Sequence, residues 1–321
     1  MPSRPLTVLA LFLATAELSC SSSEHVRSEP VDLSNVSTEP DEASRSASQA
    51  APEVDWEGIS PAQRSDVLEV LNATFCPACL CAETVAQCLT PEEPCGCPAC
   101  AQIMARFVLD AFRQGMSAEE VLDLSAEAWV DAFEQAPVDL PLDDQPTRRA
   151  ALARARPGTE PISVVEFADF TCPHCAAVAP ILDALVENDP DVRLTFFFYP
   201  LRSSGPSILS AQAAHEAFVQ GRFWSYAQAL YAQPRPPERG DLVALAQQIS
   251  IDEAALAAAL DDERHEATVL ADKHLGESIG IRGTPAIYIE GRPFVLPRTL
   301  DNLEIWVDME RTRRQCAPGA D

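Results

Sequence analysis

Apolar positions divide the chain into stretches of different character. Residues 21–53 show no apolar period. They are Ser, Glu, Pro and Asp with scattered small residues, which cannot offset their ordering entropy by burial, and they are expected to form a tether. Over residues 54–137 the pattern is helical. A helix is predicted from Pro61 to Leu71. Ile103, Phe107, Val108 and Phe112 keep helical spacing as far as Gly115, and Ser117-Ala-Glu-Glu has the form of an N-cap with a capping box, opening a helix that carries Val121, Leu122 and Leu124. Residues 138–158, rich in proline and charge, are expected as a linker.

From Pro161 the pattern changes to strand. Ile162 to Phe167 and Val192 to Tyr199 are short apolar runs, as expected for strands buried on both faces. Cys175 to Val186 between them has helical character, making a strand-helix-strand unit. Alanine-rich helical sequence fills about 207–279. Ala286 to Glu290 and Pro293 to Leu296 then flank Gly291 as a hairpin, and Leu300 to Arg313 is a closing amphipathic helix. The expectation is an α/β domain over 159–316, preceded by a small helical unit.

Composition changes this picture in two ways. A net charge of −26 in 321 residues disfavours nucleic acid and anionic membrane surfaces as partners. Eleven cysteines point away from a reducing compartment. The N-terminus agrees: Arg4 precedes an apolar run from Leu6 to Ala16, too short to span a bilayer but of signal-peptide length. Leu18-Ser19-Cys20 resembles the end of a bacterial lipobox, with Glu17 as a departure from its aliphatic position. That resemblance implies a signal over 1–20, lipidation of Cys20, and an extracytoplasmic, outer-membrane-anchored chain. Ala14-Thr15-Ala16 offers an ordinary cleavage site instead.

Disulfide exchange needs an ionisable attacking thiol and a second thiol to release the mixed disulfide. Cys172-Pro173-His174-Cys175, at the junction of the first strand and its helix, supplies both. The helix N-terminus stabilises a Cys172 thiolate, and His174 adds to this when protonated or donating a hydrogen bond. Zinc would need a second ligand pair nearby, and haem attachment a histidine where Ala176 stands.

Val165-Glu166-Phe167-Ala168-Asp169-Phe170-Thr171 followed by Cys172-Pro173-His174-Cys175 resembles the active-site strand and turn of the DsbA family of thiol-disulfide oxidoreductases. The resemblance covers Pro161 to Arg313. It implies a thioredoxin-like fold with a helical insertion, attack by Cys172, resolution by Cys175, and a proton-handling role for Glu166. Gly283-Thr284-Pro285 is similar to that family's cis-proline loop, which implies that Thr284 and Pro285 dock the substrate. Thr284 departs from the valine of the family's strongest oxidases, so the direction of exchange stays open. The implied partners are protein thiols and disulfides and a membrane redox partner; no cofactor is implied. His215, His265 and His274 lie in helical sequence without a ligand set, and Phe218, Phe223, Trp224, Tyr226 and Tyr231 suit packing within the insertion, with the lining of a peptide-binding groove as the alternative for some of them.

A second cysteine cluster has mirror-image spacing. Cys76, Cys79 and Cys81 face Cys95, Cys97 and Cys100 across Cys88. Structural disulfides are the first expectation, with Cys316 completing an even set of eight. Copper or zinc binding by these thiolates is the alternative, and would make the chain a metal-binding or chaperone protein. A second redox centre is the third reading. Cys76-Pro-Ala-Cys79 with the later Gly115-Met-Ser-Ala-Glu-Glu-Val is weakly similar to CcmH-type thiol reductases.

Overall fold

The structure, a computed structural model, describes residues 54–75, 83–90, 97–149 and 161–316. The expected signal, Cys20, the tether and Cys76, Cys79, Cys81 and Cys95 lie outside the described residues.

The helical unit begins with α1 (Pro61–Ala73), whose Ser60 N-cap and Gln63 cap each other's backbone N–H groups. A single turn, α2 (Val85–Cys88), is capped in the same way by Thr84 and Gln87. In α3 (Pro98–Arg113), Met104, Phe107, Val108 and Phe112 form one buried stripe, and the helix stops before Gly115, which has a positive φ of 88°. The expected capping box at Ser117 and Glu120 opens α4 (Ala118–Ser125). This helix runs on through a π-helical stretch, Ala126–Asp131, into a last turn, Ala132–Glu134. The wider turn places Ala128, Trp129, Ala132 and Phe133 all inward.

The α/β part is a five-stranded sheet in the order β1-β3-β2-β4-β5. β2 (Ile162–Ala168) and β3 (Val192–Phe198) are parallel and in register from Ile162↔Val192 to Ala168↔Phe198. They are joined across one face by α5 (Pro173–Asn188). β4 (Ala286–Ile289) runs antiparallel to β2 and turns at Gly291 into the two-residue β5 (Arg292–Pro293). At Gly291 a Cβ would come within 2.3 Å of the Val138 carbonyl oxygen, so only glycine fits the turn. The insertion comprises α6 (Pro206–Val219), α7 (Phe223–Tyr231), α8 (Arg239–Gln248), α9 (Glu253–Asp261) and α10 (Glu266–Ser278), and the chain closes with α11 (Leu300–Cys316). This is the expected thioredoxin-like α/β fold with a helical insertion.

Two features go beyond the sequence pattern. The segment expected as a linker is part of the fold over its described residues. Thr147–Arg149 forms the edge strand β1, antiparallel to β3, and Leu140 is buried beside Val165, Phe167 and Tyr199. A strand of Thr-Arg-Arg has no apolar alternation to reveal it. The helical unit also shares one core with the sheet. Trp129 and Trp306 are fully buried with ring centroids 5.4 Å apart, Arg106 bonds Asp308 at 2.9 Å, and a disulfide joins Cys97 to Cys316.

The insertion shares an apolar core with one face of the sheet, through Phe170, Phe196 and Phe198. Within the insertion His265 is buried and its Nε2 lies 2.7 Å from Glu216, while the His215 ring lies tilted against that of His265 with centroids 4.5 Å apart. Burial and the neighbouring His265 hold His215 down to about 4. These two histidines are therefore core groups of the insertion. Among the described residues, no helix is long and apolar enough to cross a membrane.

Candidate active site

β2 ends in a loop that Asp169 organises. Its buried carboxylate accepts from Thr171 N (2.6 Å), Thr171 Oγ1 (2.7 Å), Leu201 N (2.7 Å) and Ser207 Oγ (2.6 Å), and its backbone carbonyl accepts from Cys172 N at 3.0 Å. The turn before Cys172, the loop after β3 and the start of α6 are thereby held together around Cys172. Asp169 was legible only as part of a matching run of residues; that it is a four-fold acceptor depends on the loop after β3 and on the start of α6.

Cys172 is the N-cap of α5, Pro173 its first residue and Cys175 its third. Pro173 has no N–H to leave unsatisfied, and Cys172 stands at the positive end of the helix dipole, although its sulfur accepts no capping hydrogen bond. Cys172 is 6% exposed and Cys175 is not exposed at all, so only the first can meet another molecule. Both carry thiols here. His174 is exposed beside them.

Burial pushes the Cys175 thiol well up, and the Glu166 carboxyl adds to this. Glu166 lies mid-strand in β2, opposite Phe196 and Ile287. Its side chain is buried on the face covered by α5, and its Oε1 has no hydrogen-bond partner among the described residues. Burial, reinforced by Asp183, raises Glu166 to about 8. A cavity of about 20 Å³, lined in part by Glu166, Asp183, Gln228 and Tyr231, lies beside it, enough for one water molecule. Tyr231 packs at a tilt against Phe170, with ring centroids 5.1 Å apart, and its hydroxyl is also buried and unpartnered among the described residues. Burial and the acidic groups around it push Tyr231 well above the usual phenol range. Its spacing within the insertion signalled packing but gave no sign of this proximity.

The third component comes from the loop before β4. The Thr284-Pro285 peptide bond is cis, and the Thr284 carbonyl oxygen lies 3.5 Å from Cys172 Sγ. Among the described residues the Thr284 hydroxyl makes no hydrogen bond of normal geometry, yet its proximity to Cys175 partly offsets the upward push on that thiol. Arg298 Nη2 donates to the Pro285 carbonyl at 3.0 Å, and Tyr199 Oη donates to that of Ile281 at 3.0 Å, which hold the loop at both ends. An open groove of about 390 Å³ runs along it, lined in part by Arg282, Thr284, Pro285, Tyr288 and Arg298. Leu201, whose N–H donates to Asp169, is half exposed.

Cys172, Cys175, Glu166, Thr284 and Pro285 thus converge, with His174 at the rim. Of the second cysteine cluster, Cys97 and Cys100 are buried near Cys316, and Cys88 is buried in α2.

A dithiol at a helix N-terminus, on a β-α-β unit and beside a cis-proline loop, defines a thioredoxin-like domain of the kind that carries an exchangeable thiol pair. Residues 159–309 match the family model described as Thioredoxin. Among curated proteins, the chain is 29% identical over 148 residues to Na(+)/H(+) antiporter NhaA 3 of Salinispora tropica, covering 46% of this chain and 23% of the antiporter. It is 27% identical over 146 residues to Disulfide bond formation protein D of Bacillus subtilis, covering 41% of this chain and 64% of the relative. The chain therefore spans under a quarter of the antiporter and just under two thirds of the Bacillus protein. Among solved structures it resembles oxidised BdbD of Bacillus subtilis (24% identity, TM-score 0.45, 53% of this chain and 93% of the other). It also resembles a thioredoxin-like oxidoreductase of Silicibacter pomeroyi (23%, 0.45, 54% and 94%).

Proposed function

We propose that the chain is an extracytoplasmic thiol-disulfide oxidoreductase that exchanges disulfides with protein substrates through Cys172 and Cys175. The observation that carries this reading is the asymmetry of the pair. Cys172 retains some exposure at a helix N-terminus, 3.5 Å from the Thr284 carbonyl, while Cys175 is fully buried under it.

In the reducing direction, the Cys172 thiolate attacks one sulfur of a substrate disulfide, forming a mixed disulfide and releasing the other substrate sulfur as a thiolate that takes up a proton. Cys175 then loses its proton and attacks Cys172 Sγ. The Cys172–Cys175 disulfide forms and the second substrate thiol departs. In the oxidising direction the same bonds exchange in reverse. Burial makes the Cys175 proton hard to remove, and Glu166, raised to about 8 and with one oxygen unpartnered among the described residues, is placed by this reading as its acceptor. His174 stabilises the Cys172 thiolate. Thr284 and Pro285 present backbone to an extended substrate segment, and the adjoining groove supports that docking.

The apolar leader and the abundance of cysteine support export, with Cys20 as the lipidated residue and a membrane protein as the redox partner. The test is the equilibrium potential of the Cys172/Cys175 pair in glutathione buffers. A value near about −120 mV makes the protein a disulfide donor and one near about −270 mV a reductant. A pair that does not equilibrate with glutathione at all overturns the proposal.

A further inference from the structure

The second cysteine cluster repeats the local geometry of the first. Cys97-Pro98-Ala99-Cys100 places Cys97 at the N-cap of α3, Pro98 at its first position and Cys100 at its third, as Cys172, Pro173 and Cys175 stand on α5. Here the N-cap sulfur is already oxidised, since Cys97 is disulfide-bonded to Cys316 at the end of α11. Cys100 carries a thiol whose Sγ lies 3.1 Å from Cys97 Sγ, and all three sulfurs fall within 4.8 Å of one another. A thiol in van der Waals contact with a disulfide sulfur is the arrangement from which exchange begins.

We propose that Cys97, Cys100 and Cys316 form a second thiol-disulfide exchange site, whose disulfide passes between Cys97–Cys316 and Cys97–Cys100. Cys100 gives up its proton and its sulfur attacks Cys97 Sγ. The Cys97–Cys316 bond breaks as the Cys97–Cys100 bond forms, and the electron pair leaves on Cys316 Sγ, which takes up a proton. One disulfide and one thiol remain, so no outside oxidant or reductant is consumed. The step moves the thiol from Cys100, which has no exposure, to Cys316, which is partly exposed. Metal binding is the less favoured reading, because two of the three sulfurs are joined to each other and cannot both serve as thiolate ligands.

The site works apart from the Cys172/Cys175 pair. Arg314, two residues before Cys316, donates to the Pro161 carbonyl, just before β2, and Arg311 pairs with Asp189, at the far end of α5. Cys172 lies at the opposite end of both elements. Seven residues of strand and sixteen of helix correspond to roughly 20–25 Å. No direct transfer spans that distance within one rigid molecule.

The experiment uses the full chain carrying C172S and C175S, so that the first pair cannot catalyse the shift. Native protein is incubated with N-ethylmaleimide near neutral pH, quenched in acid, digested, and its linkages and alkylated thiols mapped by mass spectrometry. The expected result is progressive alkylation of Cys316 together with a Cys97–Cys100 linkage. In C100S, alkylation of Cys316 falls by at least about tenfold, because the neighbouring nucleophile is gone. If C100S does not fold, the linkage map of its parent decides alone. Retention of Cys97–Cys316 throughout, with label absent or on Cys100, overturns the proposal and leaves a static crosslink. So does pairing of Cys100 with any cysteine other than Cys97, or protection of these thiols until a chelator removes stoichiometric zinc or copper.

Discussion

The carbonyl oxygen of Thr284 lies 3.5 Å from Cys172 Sγ although 112 positions separate the two residues. In the proposed reaction a substrate strand that pairs with the Thr284-Pro285 loop delivers its sulfur to Cys172. C172S is then expected to abolish disulfide exchange. C175S leaves the first attack intact and accumulates a mixed disulfide on Cys172, detectable as a protein adduct by non-reducing electrophoresis and mass spectrometry.

Glu166 gives a prediction about pH. Its carboxyl is raised in the fold from 4.5 to about 8, so between those values the folded chain holds a proton that the unfolded chain has lost. Stability from this group is complete below about 4.5 and declines as pH rises through 8. E166Q removes the dependence. In the reduced state it is expected to be more stable than the parent at pH 8.5, by roughly 5 kcal/mol at most, with the gap narrowed to about 1 kcal/mol at pH 5. Urea unfolding at the two pH values reads this. The same substitution slows resolution of the mixed disulfide without slowing its formation.

Gly276 lies in α10, where alanine would ordinarily gain about 1 kcal/mol of helix propensity. A Cβ there would stand 2.9 Å from the ring of Tyr199 and 3.2 Å from that of Phe167. Overpacking outweighs propensity, and G276A is expected to destabilise by about 1–3 kcal/mol in denaturant titration. Because Tyr199 Oη holds the Ile281 carbonyl, the displaced ring also loosens the cis-proline loop and lowers the exchange rate.

Asp169 accepts four hydrogen bonds from three segments. D169N turns one acceptor into a donor facing donors. A loss of about 2–3 kcal/mol is expected, with a slower reaction of Cys172 toward a thiol reagent as the loop before it loosens.

Trp306 joins the two halves of the chain. W306A is expected to cost about 3–5 kcal/mol. If the shared core governs folding, near-ultraviolet and far-ultraviolet dichroism of the parent trace one unfolding transition. Two separated transitions would show that the helical unit and the α/β part are energetically independent.

The elements of the sheet were legible because their cause is local. Runs such as Ile162 to Phe167 are apolar on both faces, and the Ser117 capping box is written in four consecutive residues. The thiol pair was legible as a motif, and its resemblance to a known strand and turn pointed to Glu166 and Pro285. What sequence did not reveal depends on contacts between distant segments. Trp129 meets Trp306 only through the tertiary fold, and although an even count linked Cys316 to the second cluster, nothing in the sequence singled out Cys97 as its partner. Thr147–Arg149 is a strand because β3 offers an open edge, and Tyr231 reaches the site because the insertion folds back over Phe170. None of these carries a periodic signal.

The Cys97–Cys316 bond closes a covalent ring, with 219 positions between its ends and the sheet, the insertion and the first thiol pair all inside it. A single proteolytic cut anywhere in that ring leaves one molecule, which separates into pieces only on reduction. Closing so large a loop also narrows the unfolded ensemble, a constraint of about 5 kcal/mol on chain-entropy grounds. A shift of the bond to Cys97–Cys100 opens the ring without changing the number of disulfides. The same composition would then exist as a hoop or as a thread, with different resistance to unfolding and to proteases.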